Sequence, residues 1–212
     1  NGQRNLRTSK KNKIFVYLIS PNKIKNEKFY IKLNQVLSSK KVSFFQLRLK
    51  RLGLKDKIRT AKKIKKICKK HQVKFLINDD PIIAKKVNAD GCHLGQKDMK
   101  FNKAKKIIKN KIIGVTCHNS KELIKKAVNL KPAYIAIGAF FKSSTKKVKY
   151  KADINLIKYV KKLTKIPIVT IGGINNKNYK KLLLNNANFL AISGYIWNNK
   201  KYKPREALKK LK

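Results

Sequence analysis

Short apolar runs alternate with amphipathic stretches along the whole chain. Eight of these runs are four to six residues long and rich in Ile, Val, Phe or Leu, which is the composition of strands buried in a parallel sheet. They cover residues 14–19, 42–47, 74–77, 91–94, 112–115, 133–137, 168–171 and 189–192. The pattern therefore predicts eight short, buried strands.

The stretches between these runs carry apolar residues at helical spacing, with lysines on the remaining faces. The apolar faces consist of Ile58, Ala61, Ile64 and Cys68; of Phe101, Ala104, Ile107 and Ile108; and of Ile154, Ile157 and Val160. Two later helices are predicted over about 175–186 and 204–212, and segment 139–150 is the longest predicted loop.

Eight strands alternating with helices in 212 residues predict an α/β fold, a single-domain (β/α)8 TIM barrel. The barrel is expected to occupy residues 13–212 as the catalytic domain, after a basic N-terminal extension over 1–12 that we expect to be flexible. An open doubly wound sheet is the competing architecture. It is disfavoured because Ser20-Pro21-Asn22 follows the first run where a Rossmann fold would have its glycine-rich turn.

The chain is strongly basic, with 56 Lys and Arg against nine Asp and Glu and a formal net charge of +47. Only six of the cations are Arg, the usual residue for base and phosphate contacts, and the lysines are spread along the whole chain. This distribution favours a compositional bias on solvated helix faces. We therefore predict no specific nucleic-acid partner, although non-specific binding at low salt is expected.

Other features of the composition bear on the compartment. No apolar run approaches the ~18 residues of a membrane span, so no membrane partner is predicted. No apolar stretch with a small-residue cleavage site stands near the N-terminus, so no secretory leader is predicted. Cys68, Cys92 and Cys117 are odd in number and far apart, which argues against a disulfide scaffold. We expect buried thiols in a cytoplasmic protein.

Four of the nine acidic residues fall between positions 79 and 98, namely Asp79, Asp80, Asp90 and Asp98. Turn and cap chemistry is one explanation, and a site for a divalent cation is the other. In a barrel, the chemistry lies at the carboxyl ends of the strands. Asp79 follows the third strand and Asp98 the fourth, so the two carboxylates are expected to share one Mg²⁺.

Further polar residues follow the other strands. Gln46, Arg48 and Lys50 share one side by alternation and suit an anionic substrate. The loop after strand six offers hydroxyls and a cation, and glycines after strands seven and eight match a barrel phosphate site. These residues are Ser143, Ser144, Thr145 and Lys146 in the loop, and Gly172, Gly173 and Gly194 after the last two strands.

No protein nucleophile is evident at the strand ends. Cys117 and His118 are adjacent in sequence, and adjacent residues seldom face each other, so a catalytic dyad is not predicted. His93 lies within a predicted strand and is interpreted as a core histidine with satisfied hydrogen bonds. His71 is interpreted as a residue at a helix end, near backbone carbonyls.

Seven motifs occur in order at successive predicted strand ends. They are Gln46-Leu47-Arg48-Leu49-Lys50, Asn78-Asp79, Gly91-Cys92-His93-Leu94-Gly95-Gln96-Lys97-Asp98, Gly114-Val115-Thr116-Cys117-His118, Ser143-Ser144-Thr145-Lys146, Gly172-Gly173-Ile174 and Ser193-Gly194. Each motif is weak alone. Together, from about residue 14 to residue 197, they resemble the thiamine phosphate synthase (thiamine-phosphate pyrophosphorylase) family.

The resemblance implies a Mg²⁺-dependent transferase of thiamine biosynthesis that joins a pyrimidine-methyl diphosphate to a thiazole phosphate, giving thiamine phosphate and diphosphate. It implies that Asp79 and Asp98 bind Mg²⁺ and that Arg48, Lys50 and Lys146 are the catalytic cations. Pyrimidine diphosphate contacts are implied for Gln46, Leu47, Arg48, Leu49, Lys50, Asn78, Thr116 and Lys146. Thiazole phosphate contacts are implied for Ser143, Ser144, Thr145, Gly173, Ser193 and Gly194. The resemblance is also compatible with a homodimer.

The sequence departs from the family pattern at several positions. Leu49 stands in place of a frequent Glu, Asp80 in place of Arg, and Lys142 in place of Pro. Thr116 stands in place of Ser and Ser143 in place of Thr, so both positions keep a hydroxyl. A thiazole tautomerase-like paralogue, another phosphate-binding barrel and a basic nucleic-acid-binding protein are the alternatives. The first is disfavoured because Asn78, Asp79, Gln96 and Asp98 are all present. Another phosphate-binding barrel, such as an isomerase or epimerase, would need a paired acid and base for proton abstraction, and no such pair is evident at the predicted strand ends.

Overall fold

The computed structural model describes residues 14–143, 147 and 149–212. In this part of the chain, eight parallel strands form a closed barrel in which each strand pairs with the next in sequence and the eighth pairs with the first. The strands are β1 (Val16–Ile19), β2 (Val42–Leu47), β3 (Lys74–Asn78), β4 (Gly91–Leu94), β5 (Ile112–His118), β6 (Tyr134–Gly138), β7 (Ile168–Ile171) and β8 (Phe189–Ile192).

Helices on the outside of the barrel connect the strands. They are α1 (Lys28–Leu37), α2 (Leu54–Lys70), α3 (Pro81–Lys86), α4 (Phe101–Ile108), α5 (Lys121–Leu130), α6 (Ile154–Leu163), α7 (Tyr179–Leu184), α8 (Gly194–Trp197) and α9 (Pro204–Lys209). The predicted (β/α)8 barrel is confirmed. Residues 1–12, predicted to be an extension, lie outside the described residues.

Some predicted boundaries were wrong. The fifth strand continues three residues past the apolar run to His118, because Thr116 and His118 still pair with β6 although they are polar. The helix predicted over 175–186 begins only at Tyr179, since Asn175 and Asn178 form a turn closed by their own side chains. The last helix ends at Lys209 rather than at residue 212.

The core has two layers. The larger layer lies between the strands and the helices and includes the predicted faces, with Ala61, Ile64 and Cys68 of α2 fully buried. No helix in the described part of the chain combines the length and the apolar character that crossing a membrane requires. All three cysteines are buried free thiols, as predicted.

The second layer fills the inside of the barrel. Its buried members are Tyr17, Ile19, Phe44, Leu76, Ala133, Tyr134, Ala136, Val169, Phe189 and Ala191. Phe44 packs against the rings of Tyr17, Tyr134 and Phe189 at centroid distances of 5.5, 6.2 and 5.1 Å. Gly114 makes room for this packing, because a Cβ there would overlap the Tyr134 ring. The aromatic residues therefore form a solid floor beneath the open carboxyl end of the barrel, here called the mouth.

Candidate active site

The floor of the mouth is apolar on one side and polar on the other. On β6, β8 and β1 the last inward side chains are those of Ala136, Ala191 and Ile19, all members of the inner layer. Ile171 ends β7 and pairs with Ala191, yet it is 37% exposed. An exposed Ile beside these residues gives an apolar surface on which a flat ring can pack.

On the polar side, five side chains form a continuous hydrogen-bonded series, here called the polar chain. Gln46 Nε2 donates to the Tyr17 hydroxyl at 2.9 Å, and the hydroxyls of Tyr17 and Tyr134 lie 2.7 Å apart. His93 Nδ1 lies 2.8 Å from the Tyr134 hydroxyl, and His93 Nε2 lies 2.6 Å from Thr116 Oγ1. The polar chain thus begins at Gln46 on β2 and ends at Thr116 on β5.

The environment of the polar chain keeps its members uncharged. Burial, and then the positive charge of Arg48, lower the pKa of His93 to about 4. Burial raises the pKa of the hydroxyls of Tyr17 and Tyr134 above the usual range. Near neutral pH, His93 is therefore a neutral imidazole with both nitrogens hydrogen-bonded. Its two hydrogen bonds agree with its interpretation as a core histidine with satisfied hydrogen bonds.

Two carboxylates stand at the mouth on loops after neighbouring strands. Asp79 follows β3 in a left-handed conformation with φ of 60°, and Asn78 Nδ2 donates to its Oδ2 at 3.3 Å. Asp98 Oδ2 accepts a hydrogen bond of 2.6 Å from the backbone N–H of Gly95. Burial, and then the negative charge of Asp98, raise the pKa of Asp79, which shows that the two carboxylates interact.

The other two acidic residues of the 79–98 stretch have structural roles. Asp80 caps α3, where its Oδ1 accepts a 3.0 Å hydrogen bond from the N–H of Ile83. Asp90 Oδ2 accepts a 2.8 Å hydrogen bond from the N–H of Phe75. The turn and cap explanation therefore accounts for Asp80 and Asp90, and the cation site stays a prediction for Asp79 and Asp98.

Acidic residues elsewhere are also engaged away from the mouth. Asp153 caps α6, Glu206 lies in the first turn of α9, and Glu27, Asp56 and Glu122 pair with Lys63, Arg59 and Lys126. Among the described residues, no group of three or more His, Cys, Asp or Glu side chains could hold a metal ion. A divalent cation at Asp79 and Asp98 would need further oxygens from a substrate, as Mg²⁺ commonly takes from phosphates.

The cations after β2 lie in two different places. Arg48 is half-buried, and its charge lowers the pKa of both His93 and Asp79, so it acts at the mouth. Lys50 is exposed and lines a cleft of about 400 Å³ beside the mouth, together with Lys23 and Arg51. The predicted alternation fails at Lys50 because β2 already ends at Leu47.

Two predicted contact residues of this segment point elsewhere. The side chain of Leu47 is buried in the layer between strands and helices, and Leu49 packs against the same layer. Contacts of these two residues with a substrate would therefore involve their backbone. Asn78 ends β3 and pairs with His93 on β4, so it stands beside the polar chain.

Glycines after β7 bring two loops together. Phe140 and Phe141 N–H groups donate to the carbonyls of Ile171 and Gly172 at 3.1 and 3.0 Å. Gly173 has φ of 62°, and a Cβ there would overlap the carbonyl of Lys142. Only glycine permits both this conformation and this approach, which places the start of the loop that contains Ser143 beside the end of β7.

The remaining predicted phosphate-site residues divide into two groups. Ser193 precedes α8, which begins at Gly194, and its hydroxyl donates to the carbonyl of Ser20 at 3.2 Å. The end of β8 is thereby joined to the end of β1. Ser144, Thr145 and Lys146 lie outside the described residues, and their roles stay predictions.

The loop after β6 is anchored by residues at the end of β5. The Ala139 N–H donates to the carbonyl of Tyr150 at 2.9 Å, and Asn119 Nδ2 donates to the carbonyl of Lys151 at 2.8 Å. The His118 ring stacks on Tyr150 with centroids 4.1 Å apart. Cys117 is fully buried, while the ring of His118 contacts this loop.

These features define the class of the protein. It is a (β/α)8 barrel whose mouth holds two interacting carboxylates near Arg48, with the two glycines that follow β7 on the opposite side of the barrel. The active sites of such barrels lie at the carboxyl-terminal face, frequently with a phosphate-binding site after the seventh and eighth strands.

Comparison with known proteins narrows the class. The family model described as thiamine monophosphate synthase matches residues 16–196, so the chain belongs to the thiamine monophosphate synthase family. A thiamine-phosphate synthase of Pelagibacter ubique is 67% identical over 207 residues, covering 98% of this chain and 100% of that protein. One from Rhodospirillum centenum is 33% identical, covering 87% of this chain and 89% of that protein.

Solved structures agree with the family assignment. A thiamine phosphate pyrophosphorylase from Pyrococcus furiosus superposes with a TM-score of 0.83 and 25% sequence identity, covering 94% of each chain. A 3-hexulose-6-phosphate synthase from Salmonella typhimurium superposes with a TM-score of 0.66 at 15% identity, covering 92% of this chain and 96% of that one. The second likeness concerns the fold alone.

Proposed function

We propose that the protein joins 4-amino-2-methyl-5-(diphosphomethyl)pyrimidine to 4-methyl-5-(2-phosphoethyl)thiazole and releases thiamine phosphate and diphosphate. The observation that supports the proposal is the electrostatic interaction of Asp79 with Asp98 and Arg48 at the strand ends, in a chain of this family. The protein is thus a transferase that acts on small-molecule substrates.

Asp79 and Asp98 would hold Mg²⁺, because two interacting carboxylates with open oxygens suit a cation that takes its other ligands from substrate phosphates and water. When bound, Mg²⁺ would neutralise charge on the diphosphate as it leaves. The cofactor is therefore part of this proposal.

The cations of this chain would complete the diphosphate site. Arg48 stands at the mouth near Asp79, and Lys50 lines the neighbouring cleft with other cations. Fixed positive charges that face the leaving group stabilise the charge that develops there. Asn78 would donate from its side-chain amide, and Lys146 would add a cation from the loop after β6.

The two substrate rings would lie on the two sides of the floor. Gln46 and Thr116 at the ends of the polar chain would hold the aminopyrimidine, and exposed Ile171 would face the thiazole. The thiazole phosphate would bind at Ser143, Ser144, Thr145, Gly173, Ser193 and Gly194. Placing both reactants in one mouth converts an encounter of two molecules into a reaction within one complex.

The chemistry needs no covalent intermediate with the protein. The C–O bond between the pyrimidine methylene and the diphosphate breaks, and its electron pair leaves with the diphosphate. The thiazole nitrogen then supplies the electron pair of the new C–N bond. Cys68, Cys92 and Cys117 are buried and burial raises the pKa of each thiol, so the proposal gives none of the three thiols a role as nucleophile.

We further propose that the protein acts in the cytoplasm, as three free, buried cysteines favour. The proposal includes no membrane or specific nucleic-acid partner and is compatible with a homodimer. Residues 13–212 would form the catalytic domain and 1–12 a basic extension.

A direct assay tests the proposal. The purified protein is incubated with both substrates and Mg²⁺, and thiamine phosphate is quantified with and without EDTA. We expect product that disappears with EDTA. A folded protein that forms no product would overturn the proposal, and conversion between thiazole tautomers would then indicate a tautomerase.

A further inference from the structure

The polar chain ends at Thr116, which is half-buried, and at Gln46, which is 3% exposed and lies next to the last residue of β2, while its middle is sealed inside the barrel. Tyr17 is 1% exposed and Tyr134 is fully buried. In the described part of the chain, the Tyr17 hydroxyl has two hydrogen-bond partners, Gln46 and Tyr134, and the Tyr134 hydroxyl has two, Tyr17 and His93. Every hydroxyl proton in this sealed segment must therefore be given to another member of the polar chain.

One donor fixes the direction of every hydrogen bond that follows. Gln46 Nε2 donates to Tyr17, so the single proton of Tyr17 is directed to Tyr134. The single proton of Tyr134 is then directed to His93 Nδ1, which must be the bare nitrogen of the ring. The N–H of that tautomer is at Nε2 and donates to Thr116 Oγ1. The opposite direction is equally self-consistent, but it requires the Gln46 amide to be turned over.

This direction decides what the two ends offer to a ligand. One N–H of the Gln46 amide is used by Tyr17, which leaves its carbonyl oxygen as an acceptor and its second N–H as a donor. Since Thr116 Oγ1 accepts from His93, its own hydroxyl proton is left as a donor. A 4-aminopyrimidine complements this pair, with an amine that donates and a ring nitrogen that accepts. The corresponding 4-oxopyrimidine interchanges donor and acceptor, so its ring N–H would oppose the hydroxyl proton of Thr116 unless the direction of the polar chain reversed.

We propose that Tyr17, Tyr134 and His93 are positioning residues that hold Gln46 and Thr116 in the polarity that selects a 4-aminopyrimidine over a 4-oxopyrimidine. The inference rests on the proposed function and deepens it, because it assigns the discrimination between pyrimidine classes to buried residues. Sites that hydrogen-bond a particular polar group reject analogues that mismatch it far more strongly than apolar pockets reject a change of size.

The first experiment compares the two pyrimidine diphosphates, 4-amino and 4-oxo, as substrates. The measured quantity is the ratio of their kcat/KM values in the wild type, Tyr17→Phe and Tyr134→Phe. We expect the wild type to favour the amino substrate by about 100-fold or more. Each variant interrupts the polar chain and frees the Gln46 amide to turn, so the ratio should fall at least about tenfold.

Tyr179→Phe is the matched control. It removes a buried tyrosine hydroxyl that is hydrogen-bonded to the backbone of Lys212 and takes no part in the polar chain. Its ratio should equal that of the wild type. Binding of the thiazole phosphate and the melting temperature show that each variant is folded. An unchanged ratio in folded Tyr17→Phe and Tyr134→Phe would overturn the inference and leave the proposed function intact.

A second measurement needs no variant and no substrate. The chain has three histidines, so ¹⁵N-labelled histidine gives three resolvable rings in NMR spectra. We expect His93 to carry its proton at Nε2, with Nδ1 bare. A proton at Nδ1 would reverse the direction of the polar chain and overturn the inference. A wild type that makes no thiamine phosphate from the amino substrate would instead contradict the proposed function.

Discussion

Asp79 and Asp98 follow neighbouring strands, and burial together with the charge of Asp98 raises the pKa of Asp79. Two carboxylates that repel each other in this way gain stability when a divalent cation lies between them. Asp98 also accepts a hydrogen bond from the N–H of Gly95, which fixes one of its oxygens. These two residues are therefore the best place to test for dependence on Mg²⁺.

We predict that Asp79→Asn and Asp98→Asn each lower Mg²⁺-dependent turnover by about 100-fold or more, because each removes a charged ligand while its amide keeps the same shape. The fold should be retained. Steady-state kinetics across a Mg²⁺ titration measure the effect. Asp153→Asn is the matched control, since Asn also caps helices well and Asp153 caps α6. Full activity in both mouth variants would refute the assignment.

The second prediction concerns pH and stability. The folded-state pKa of His93 is about 4, against about 6.5 for an unfolded histidine. The contribution of the neutral His93 ring to the free energy of unfolding is fully present above pH 6.5, because the histidine is then neutral in both the folded and the unfolded state. The contribution is lost as the pH falls towards 4, because only the unfolded state gains the proton.

Between these limits, His93 should account for a loss of about 3 kcal/mol in the free energy of unfolding. Urea unfolding of the wild type and of His93→Gln at pH 7 and pH 4.5 measures it. The variant should lose less stability than the wild type over this range. Parallel losses in the two proteins would show that His93 is not held neutral in the folded state.

The third prediction uses two glycines. Gly173→Ser should destabilise the fold by about 1–3 kcal/mol and weaken thiazole phosphate binding, because it strains a residue with φ of 62° and forces a Cβ against the Lys142 carbonyl. Gly53→Ser should be neutral or stabilising, because Gly53 has φ of −63°, precedes α2 and has no atom within 4 Å of an added Cβ. Melting temperatures compare the two, and equal shifts would contradict the described packing.

The fourth prediction concerns the thiols. Cys68, Cys92 and Cys117 are fully buried, and burial raises the pKa of Cys117 to about 12. Because the thiolate is the reactive form, none should react with a disulfide reagent in the native protein. All three should react in guanidinium chloride. Rapid labelling of any cysteine under native conditions would show that its part of the core opens readily.

The barrel was predictable because its strands are buried on both faces and read as short apolar runs. The predicted runs and the strands share their limits for β2 and β4, which end at Leu47 and Leu94. The fifth strand was predicted too short because Thr116 and His118 are polar residues that keep their backbone pairing at the mouth. At the end of β5, the pattern of apolar residues therefore stops before the backbone pairing does.

The carboxylate pair was predictable from the rule that strand ends meet at one face. The polar chain was not, since it depends on Tyr17 of β1 meeting Tyr134 of β6 across the barrel. That meeting is set by the stagger of the strands and by the space at Gly114, neither of which local periodicity reveals. The sequence signal for the polar chain was the presence of a tyrosine, Tyr17 or Tyr134, within each of two apolar strand runs.

Barrel closure also has a consequence for synthesis of the protein. The first strand pairs with β2 on one side and with β8 on the other, and β8 begins only at Phe189. A ribosome makes nearly the whole chain before the second edge of β1 has a partner, and unpaired edges invite association with other chains. Like-charge repulsion between lysine-rich nascent segments, in a chain with a formal charge of +47, opposes such association until the last strand closes the ring.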